Sequence, residues 1–234
     1  MQIDFREAAR FLNVDESTVQ RWVRRGELRA QRAKGDDRLD LVDLLEFAAA
    51  RGMQVAPEML ESRGPETGPL PLLSQAVRAG GVHLSVPGDD VASVLRSVVD
   101  RLALPGDVDR GFLHQMLVAR ERMGSTGVGH GIAFPHVRHP IVLRVSAPAV
   151  AVSYLASPVD FGAIDGEPVH TLFTLVSPSV RVHLHLLALL AAALHDPAVR
   201  AAVDARDGEP ALTEALARVE DALARRRGSA QGQR

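Results

Sequence analysis

Prolines and glycines crowd residues 53–71 and divide this chain into two unequal parts. The turn-forming residues of this segment are Pro57, Gly64, Pro65, Gly68, Pro69 and Pro71. Such a composition is typical of a semi-stiff linker between two domains. We therefore expect a small domain over residues 1–52, a linker over residues 53–70, a larger domain over residues 71–226 and a disordered tail over residues 227–234. A chain of 234 residues is long enough for this division.

Composition excludes several classes of protein. The chain carries 27 Lys and Arg against 29 Asp and Glu, so its net charge of −2 gives no global signal for nucleic acid or membrane binding. It has no cysteine, which excludes disulfides and thiolate metal sites. No amino-terminal stretch resembles a signal peptide, and the most apolar run, residues 184–194, is too short to span a bilayer. We expect a soluble, cytoplasmic protein without membrane insertion.

The amino-terminal part predicts two short helices, a hairpin and a closing helix. The first helix covers residues 5–12, and the second runs from a cap at Asp15 or Ser17 to about residue 25. In the second helix Val19, Trp22 and Val23 form one apolar stripe, which leaves the polar and basic residues outward. Residues 28–41 are typical of a hairpin wing, and Asp43 is expected to cap a helix over residues 44–50.

This order resembles the excisionase and MerR-like winged-helix family, although Arg29 replaces the usual proline. The resemblance implies that duplex DNA is a partner. Because one such module buries little surface, we expect that a homodimer or a second protein is needed for a specific site. Residues 17–38 hold seven basic and three acidic side chains, a local charge of +4 that suits phosphate contacts. The expected DNA-binding residues are Ser17, Thr18, Gln20, Arg21, Arg24, Arg25, Arg32 and Lys34. Acidic Asp36 and Asp37 at the wing tip would repel phosphates, and a module that binds only proteins remains the alternative.

In the larger part, predicted strands and helices alternate, which indicates an α/β domain with a mixed sheet flanked by helices. Strands are predicted over residues 82–86, 132–134, 149–155 and 169–176. Helices are predicted over residues 71–79, 91–104 and 109–122, then from Ser177 and Pro178 as cap and first residue, from residue 197, and over residues 211–226.

Residues 120–136 combine a charged helix end, a glycine-rich loop and a short apolar run that ends on Pro135 and His136. Glycines allow positive φ angles, so successive backbone N–H groups can converge on one anion. Ser125 and Thr126 add hydroxyl donors, and Arg120 offers a planar guanidinium. A histidine with a pKa near ~6.5 is largely neutral at cytosolic pH, so a ring nitrogen can attack phosphorus without a separate base.

This segment resembles the active-site motif of enzyme IIA domains of the fructose–mannitol class in the bacterial sugar phosphotransferase system, and most closely the nitrogen-regulatory branch. The resemblance extends from about residue 72 to 225 and includes residues 159–170 and 183–191. It implies that His136 accepts a phosphoryl group from an HPr-type phosphocarrier protein, with Arg120 and His183 assisting. The implied phosphate-binding residues are Ser125, Thr126, Gly127 and Gly129.

Two other functions remain open from the sequence. The unphosphorylated protein could dock on a kinase or transporter, with the amino-terminal domain as an adaptor, or it could be a sugar-specific carrier that feeds a IIB domain. Neither a cofactor nor a metal is expected. His183 and His185 are two residues apart and so point to different sides of a helix, and His130 and His136 have no nearby carboxylate pair in the sequence.

Overall fold

A computed structural model of the chain describes residues 2–33, 36–51, 53, 69–137, 145–206 and 208–231. The predicted linker therefore lies mostly outside the described residues. The amino-terminal domain contains β1 (Gln2–Ile3), α1 (Phe5–Leu12), α2 (Glu16–Arg24), β2 (Ala30–Ala33), β3 (Asp36–Asp40) and α3 (Leu41–Ala50). The two helices and the hairpin match the prediction. Strand β1 was not predicted, because two residues carry no periodic signal; it pairs with β3 and completes a sheet of order β1-β3-β2.

Local capping explains where the amino-terminal helices begin. The Asp4 carboxylate accepts a hydrogen bond of 2.7 Å from the backbone N–H of Glu7, whose side chain accepts one of 3.1 Å from the N–H of Asp4. This reciprocal pair is a capping box. The prediction for α3 was wrong at its start, since the helix begins at Leu41 and the Asp40 carboxylate accepts from the N–H of Val42 at 3.0 Å.

The larger domain alternates helices and strands around one mixed sheet. Its elements are α4 (Leu73–Gly80), β4 (Val82–Val86), α5 (Val91–Arg101), α6 (Arg110–Met123), β5 (Gly127–Gly129), β6 (Ile132–Ala133), β7 (Ala149–Val159), β8 (Val169–Val176), α7 (Val180–Ala193), α8 (Pro197–Asp204) and α9 (Glu209–Gln231). The strand order is β4-β7-β8-β6-β5. Strands β7 and β8 pair antiparallel at the centre, and β4 and β6 flank them in parallel. The α/β class and the mixed sheet are as predicted.

Several element boundaries in the larger domain differ from the prediction. Strand β7 continues to Val159, beyond the predicted end at residue 155. Helix α7 begins at Val180 with Ser179 as its cap, so Ser177 and Pro178 precede the helix. Helix α9 runs to Gln231, which is inside the tail that was predicted to be disordered. These differences arise at element ends, where propensity is weakest.

Glu220 of α9 holds the start of the larger domain. Its carboxylate accepts hydrogen bonds from the backbone N–H of Leu73, from the N–H of Ser74 at 3.3 Å and from the Ser74 hydroxyl at 2.6 Å. Leu72, which precedes α4, makes no side-chain cap of its own. Glu220 therefore satisfies N–H groups that the first turn of a helix leaves without partners.

The two domains share one hydrophobic core. Helix α3 packs against α7 and β5 of the larger domain as well as against α1 and β3 of its own. Leu44 and Leu45 of α3 are buried in the same apolar cluster as Val128 and Leu187. Among the described residues no single helix is long and apolar enough to cross a membrane; α7 and α8 pass that test only as a pair bent by 90°.

Candidate functional site

The end of β6 carries His136 into the centre of the molecule. His136 forms an isolated parallel bridge with Leu175 of β8, and the N–H of Leu175 donates to the carbonyl of Pro135 at 2.9 Å. The side chain of His136 is fully buried. Two anchored strands and a proline with fixed φ therefore set the position of this imidazole.

The tautomer of His136 follows from its contacts. Nδ1 lies 2.8 Å from the backbone carbonyl oxygen of Phe134. Because a carbonyl can only accept, Nδ1 carries the proton and Nε2 carries the lone pair. Nε2 in turn lies 3.3 Å from Nε of Arg120, which donates to it. The nitrogen that can act as a nucleophile thus faces a guanidinium.

Arg120 occupies the last turn of α6 and is 6% exposed. Its three nitrogens have three different partners. Nε donates to His136, Nη1 donates to the carbonyl of Gly124 at 2.9 Å, and Nη2 donates to both carboxylate oxygens of Glu46. The bond to Gly124 fixes the guanidinium to the start of the glycine-rich segment.

His183 lies in the first turns of α7, where the sequence placed it. Its ring centroid is 5.0 Å from that of His136, and its Nδ1 is 3.5 Å from the hydroxyl oxygen of Ser177. Burial and then the charge of Arg120 lower the pKa of His183 to about 4, so the ring is neutral at neutral pH. Its Nε2 is buried and has no hydrogen-bond partner among the described residues. The structure therefore brings His136, Arg120 and His183 together.

Glu46 of α3 completes this cluster, and the sequence did not predict it. Its Oε1 lies 3.4 Å from Nε2 of His136, and its carboxylate pairs with Arg120. Burial raises the pKa of Glu46 to about 8, against the lowering effect of Arg120. One signal could have indicated this residue: α3 is apolar around most of its circumference, which is typical of a helix buried on two sides. Asp43 and Glu46 are the charged residues in it.

The glycine-rich segment differs from the predicted anion cradle. Residues 127–133 form a tight β5-β6 hairpin, with positive φ angles at His130 (53°) and Gly131 (70°) in the turn. A Cβ on Gly131 would lie 2.3 Å from the ring of His170, so only glycine fits there. The backbone of β5 and β6 therefore takes part in sheet pairing and does not form an open loop around an anion.

The predicted phosphate-binding residues already have partners within this segment. The N–H of Thr126 donates to Glu121 at 2.8 Å, its hydroxyl donates to the same carboxylate at 2.5 Å, and the N–H of Gly127 donates to the Ser125 hydroxyl at 2.9 Å. A Cβ on Gly129 would lie 3.0 Å from the Asp165 carboxylate. Neighbouring carboxylates disfavour a phosphate at Thr126 and Gly129 in this arrangement.

The expectation that His130 lacks a nearby carboxylate pair was wrong. The ligand atoms of His130, Asp165 and Glu167 lie within 4.8 Å of one another. All three side chains are exposed, and the Asp165 carboxylate accepts from the N–H of His130 at 2.7 Å and of Glu167 at 3.2 Å. These N–H groups lower the pKa of Asp165. Their hydrogen bonds to its carboxylate stabilise the loop and explain why the three side chains lie together.

Helix α2 presents the residues predicted to contact DNA. Ser17, Arg21, Arg24 and Arg25 are exposed, whereas Thr18 and Gln20 are half-buried. Thr18 accepts a hydrogen bond from Arg21 at 3.2 Å, and Gln20 donates to Glu16 at 3.4 Å. Lys34 and the side chain of Arg32 lie outside the described residues. On the opposite side Val19 is buried, and Trp22 and Val23 pack against the core, as predicted.

Comparison with known families gives two matches. Residues 77–218 match the model described as "Phosphoenolpyruvate-dependent sugar phosphotransferase system, EIIA 2", and residues 3–52 match a helix-turn-helix domain model.

Individual relatives agree with the first match. A nitrogen regulatory protein of Pseudomonas aeruginosa is 41% identical over 132 residues, which cover 55% of this chain and 83% of that protein. The corresponding protein of Escherichia coli K12 is 41% identical over 102 residues, which cover 42% of this chain and 58% of that protein. The crystal structure of the nitrogen regulatory protein IIA-Ntr from Neisseria meningitidis has 25% identity and a TM-score of 0.54, with coverage of 62% of this chain and 98% of that one.

Proposed function

Since the chain belongs to the EIIA type 2 family of the phosphoenolpyruvate-dependent sugar phosphotransferase system, we propose that His136 accepts a phosphoryl group from an HPr-type phosphocarrier protein. The observation that carries this proposal is the contact between Nδ1 of His136 and the Phe134 carbonyl. It directs the lone pair of Nε2 toward Arg120. We propose further that the helix-turn-helix domain converts this phosphorylation into a change in DNA binding.

The transfer needs no proton movement at His136. The Nε2 lone pair attacks phosphorus, the phosphorus–nitrogen bond of the donor phosphohistidine breaks, and its electron pair returns to the donor ring. The proton on Nδ1 stays in its hydrogen bond to the Phe134 carbonyl, which supports the positive character that the imidazole gains. Such a reaction depends mainly on positioning and charge stabilisation.

Arg120 and His183 supply those two functions. The guanidinium already donates to Nε2, so its fork lies beside the position that a phosphoryl group would take. The neutral His183 ring, 5.0 Å away, offers a buried Nε2 that can donate to a phosphoryl oxygen as that tautomer. A buried donor that has no other partner is pre-organised for the transferred group.

Labelling with phosphoenolpyruvate and purified general phosphotransfer proteins tests the proposal. We expect one acid-labile phosphoryl group, mapped by mass spectrometry to His136, and no label in His136→Ala. His130→Ala is the matched control, because His130 is an exposed histidine of the neighbouring hairpin. Circular dichroism must show that the His136 variant is folded. Full labelling of that variant, or a label on His183, would contradict the assignment.

The DNA-binding part of the proposal rests on the exposed arginines of α2. Arg21, Arg24 and Arg25 lie on the side of the helix opposite buried Val19, so they can reach phosphates without disturbing the core. A module of this size buries little surface, so a dimer or a second protein is needed for a specific site. Salt-dependent binding of the full chain to duplex DNA, measured with and without phosphorylation, tests it.

A further inference from the structure

The position of the Glu46 carboxylate coincides with the space that the proposed reaction needs. Its Oε1 is 3.4 Å from Nε2 of His136, the atom that would bond to phosphorus. Both of its oxygens accept from Nη2 of Arg120, the group that would hold the phosphoryl oxygens. A carboxylate and a phosphoryl group offer a guanidinium similar planar pairs of acceptor oxygens.

The site is closed while α3 occupies this position. His136 is 0% exposed and His183 is 1% exposed. A donor protein must bring its phosphohistidine within bonding distance of Nε2, and no fully buried atom permits that approach. The helix that carries Glu46 must therefore withdraw before the transfer.

We propose that Glu46 is an internal substitute for the phosphoryl group: docked, it closes the site with α3, and phosphorylation of His136 expels it and releases the helix-turn-helix domain. This inference rests on the proposed phosphorylation of His136 and adds the regulation of that site. Glu46 belongs to the domain that binds DNA in the proposal. Whether Glu46 or a phosphoryl group occupies the site therefore determines whether that domain is docked or released.

Mutual exclusion follows from space and charge. A phosphoryl group on Nε2 places its oxygens where Oε1 of Glu46 now lies. It also brings a charge of about −1.5 to −2 beside that carboxylate and competes with it for Arg120. Because the coupling between two sites is reciprocal, docking of α3 disfavours the phosphorylated state of His136 at equilibrium by the same factor by which phosphorylation weakens docking.

The apolar surroundings of Glu46 make the contact sensitive to the loss of Arg120. Leu44, Leu45 and Phe47, which adjoin Glu46 on α3, are buried in the shared core. Arg120 opposes the raised pKa of Glu46, so the loss of Arg120 leaves this buried carboxyl group without its hydrogen-bond and charge partner. Once the phosphoryl group binds Arg120, Glu46 no longer stabilises the interface between α3 and the larger domain and instead destabilises it.

The test uses the full chain with Glu46→Gln, which keeps the shape of the side chain and replaces one of the two oxygens that accept from Arg120 with an NH2 group. Glu27→Gln is the matched control. Glu27 lines the same cleft of about 330 Å³ between the domains, but its carboxylate pairs with Arg51 at 2.6 Å. The initial rate of labelling by phosphoenolpyruvate and the general phosphotransfer proteins is measured for each variant. Since the transfer needs the open state, and minor states of this kind are typically populated to about 0.1 to 10%, we expect Glu46→Gln to be labelled about tenfold faster, and Glu27→Gln at the wild-type rate.

A distance measurement reports the release itself. The chain has no cysteine, so Ser17→Cys on α2 and Asp221→Cys on α9 provide two unique positions for spin labels. We expect a narrow distance distribution in the unphosphorylated protein and a broad, longer one after phosphorylation.

Each outcome decides the inference. Labelling of His136 at equal rates in wild type and Glu46→Gln, or slower in the variant, overturns it and leaves the proposed function intact; so does an unchanged distance distribution in the phosphorylated protein. If neither wild type nor Glu46→Gln accepts label, the proposed function fails, and this inference fails with it.

Discussion

Helices α3 and α7 pack against each other and bring one titratable side chain each to Arg120, yet they do so under different constraints. His183 on α7 lies in the same domain as His136, one turn after a cap formed by Ser179. Glu46 on α3 comes from the other domain and reaches the site across the shared core. One side chain is a fixed part of the site, and the other is present only while two domains stay in contact.

Burial favours the neutral form of both side chains, but Arg120 acts on them differently. Desolvation lowers the pKa of His183 to about 4, and the guanidinium adds to that effect. Desolvation raises the pKa of Glu46 to about 8, and the guanidinium opposes it. Arg120 therefore adds to the neutrality of His183 and opposes that of Glu46, so the site has one neutral ring and one carboxyl group that the guanidinium holds.

Replacement of Arg120 should affect both helices and give the largest change. Arg120→Ala removes the charge that holds the transferred group, so we expect the transfer rate to fall by about 10²- to 10³-fold, although the change also removes the partner that keeps Glu46 docked. A time course of labelling, with the reaction quenched at intervals, measures that rate. Arg122→Ala is the matched control, because Arg122 lies two residues further along α6 and is exposed. A wild-type rate in Arg120→Ala would show that neither helix acts through this residue.

Replacement of His183 should separate the two helices. His183→Ala removes one neutral donor and should slow transfer by about 10²-fold, whereas Glu46→Gln should accelerate it. The two substitutions thus move one measured rate in opposite directions. If both slow the transfer, α3 and α7 have the same role, and the contrast between them is wrong.

The pH dependence of stability sharpens the same contrast. His183 binds a proton in the unfolded chain below about pH 6.5 but in the folded protein only near pH 4. Its contribution to stability is therefore complete above pH 6.5 and is lost as the pH falls toward 4. Glu46 has the opposite sign: its raised pKa stabilises the docked state at low pH, and this contribution is lost as the pH rises from about 4.5 toward 8.

Denaturant unfolding at pH 7 and pH 5 measures the first effect. Relative to His183→Asn, the wild type should lose about 1 to 2 kcal/mol more over this interval. His136 and Arg120 lie beside His183, and Glu46 pairs with Arg120, so the same comparison in the Glu46→Gln background separates the two signs. Equal pH profiles of wild type and His183→Asn would show that His183 does not titrate with a lowered pKa.

The smallest expected effect concerns α2, whose charged side chains face solvent. Arg21→Ala combined with Arg24→Ala should weaken duplex DNA binding about tenfold and reduce the salt slope by about 2, because each arginine releases about one counterion. The fold should be unchanged, since both side chains are exposed. Binding titrations at several salt concentrations test this. If the intact protein shows no salt-sensitive DNA binding in either phosphorylation state, the domain is a protein adaptor.

Much of the fold could be predicted because its signals are local. Strand β8 and helix α1 were predicted to the residue, since a dense run of β-branched and aromatic residues and an amphipathic pattern identify them within one short window. The start of α7 was misplaced by two residues because Ser177 and Ser179 are both good caps in the sequence. Strand β1 depends on pairing with β3, which no local pattern contains.

The candidate site divides in the same way. His136, Arg120 and His183 were indicated by a motif and a family resemblance, and the structure brings them together. The partners of the donors in the glycine-rich segment were not predicted, because a residue pattern does not show that Thr126 binds Glu121. Glu46 was not predicted, because it is 74 positions from Arg120 and reaches it only when two domains pack.

The hydrogen bonds from the start of α4 to Glu220 fix the point from which a released amino-terminal domain would be tethered. The carboxylate fastens Leu73 and Ser74 to the last helix, so the chain that leads back to the amino-terminal domain leaves the larger domain from a fixed point. A released domain therefore remains tethered, and its return is a first-order event whose rate does not depend on how much protein the cell contains. The time needed to reset such a switch would be a property of one molecule.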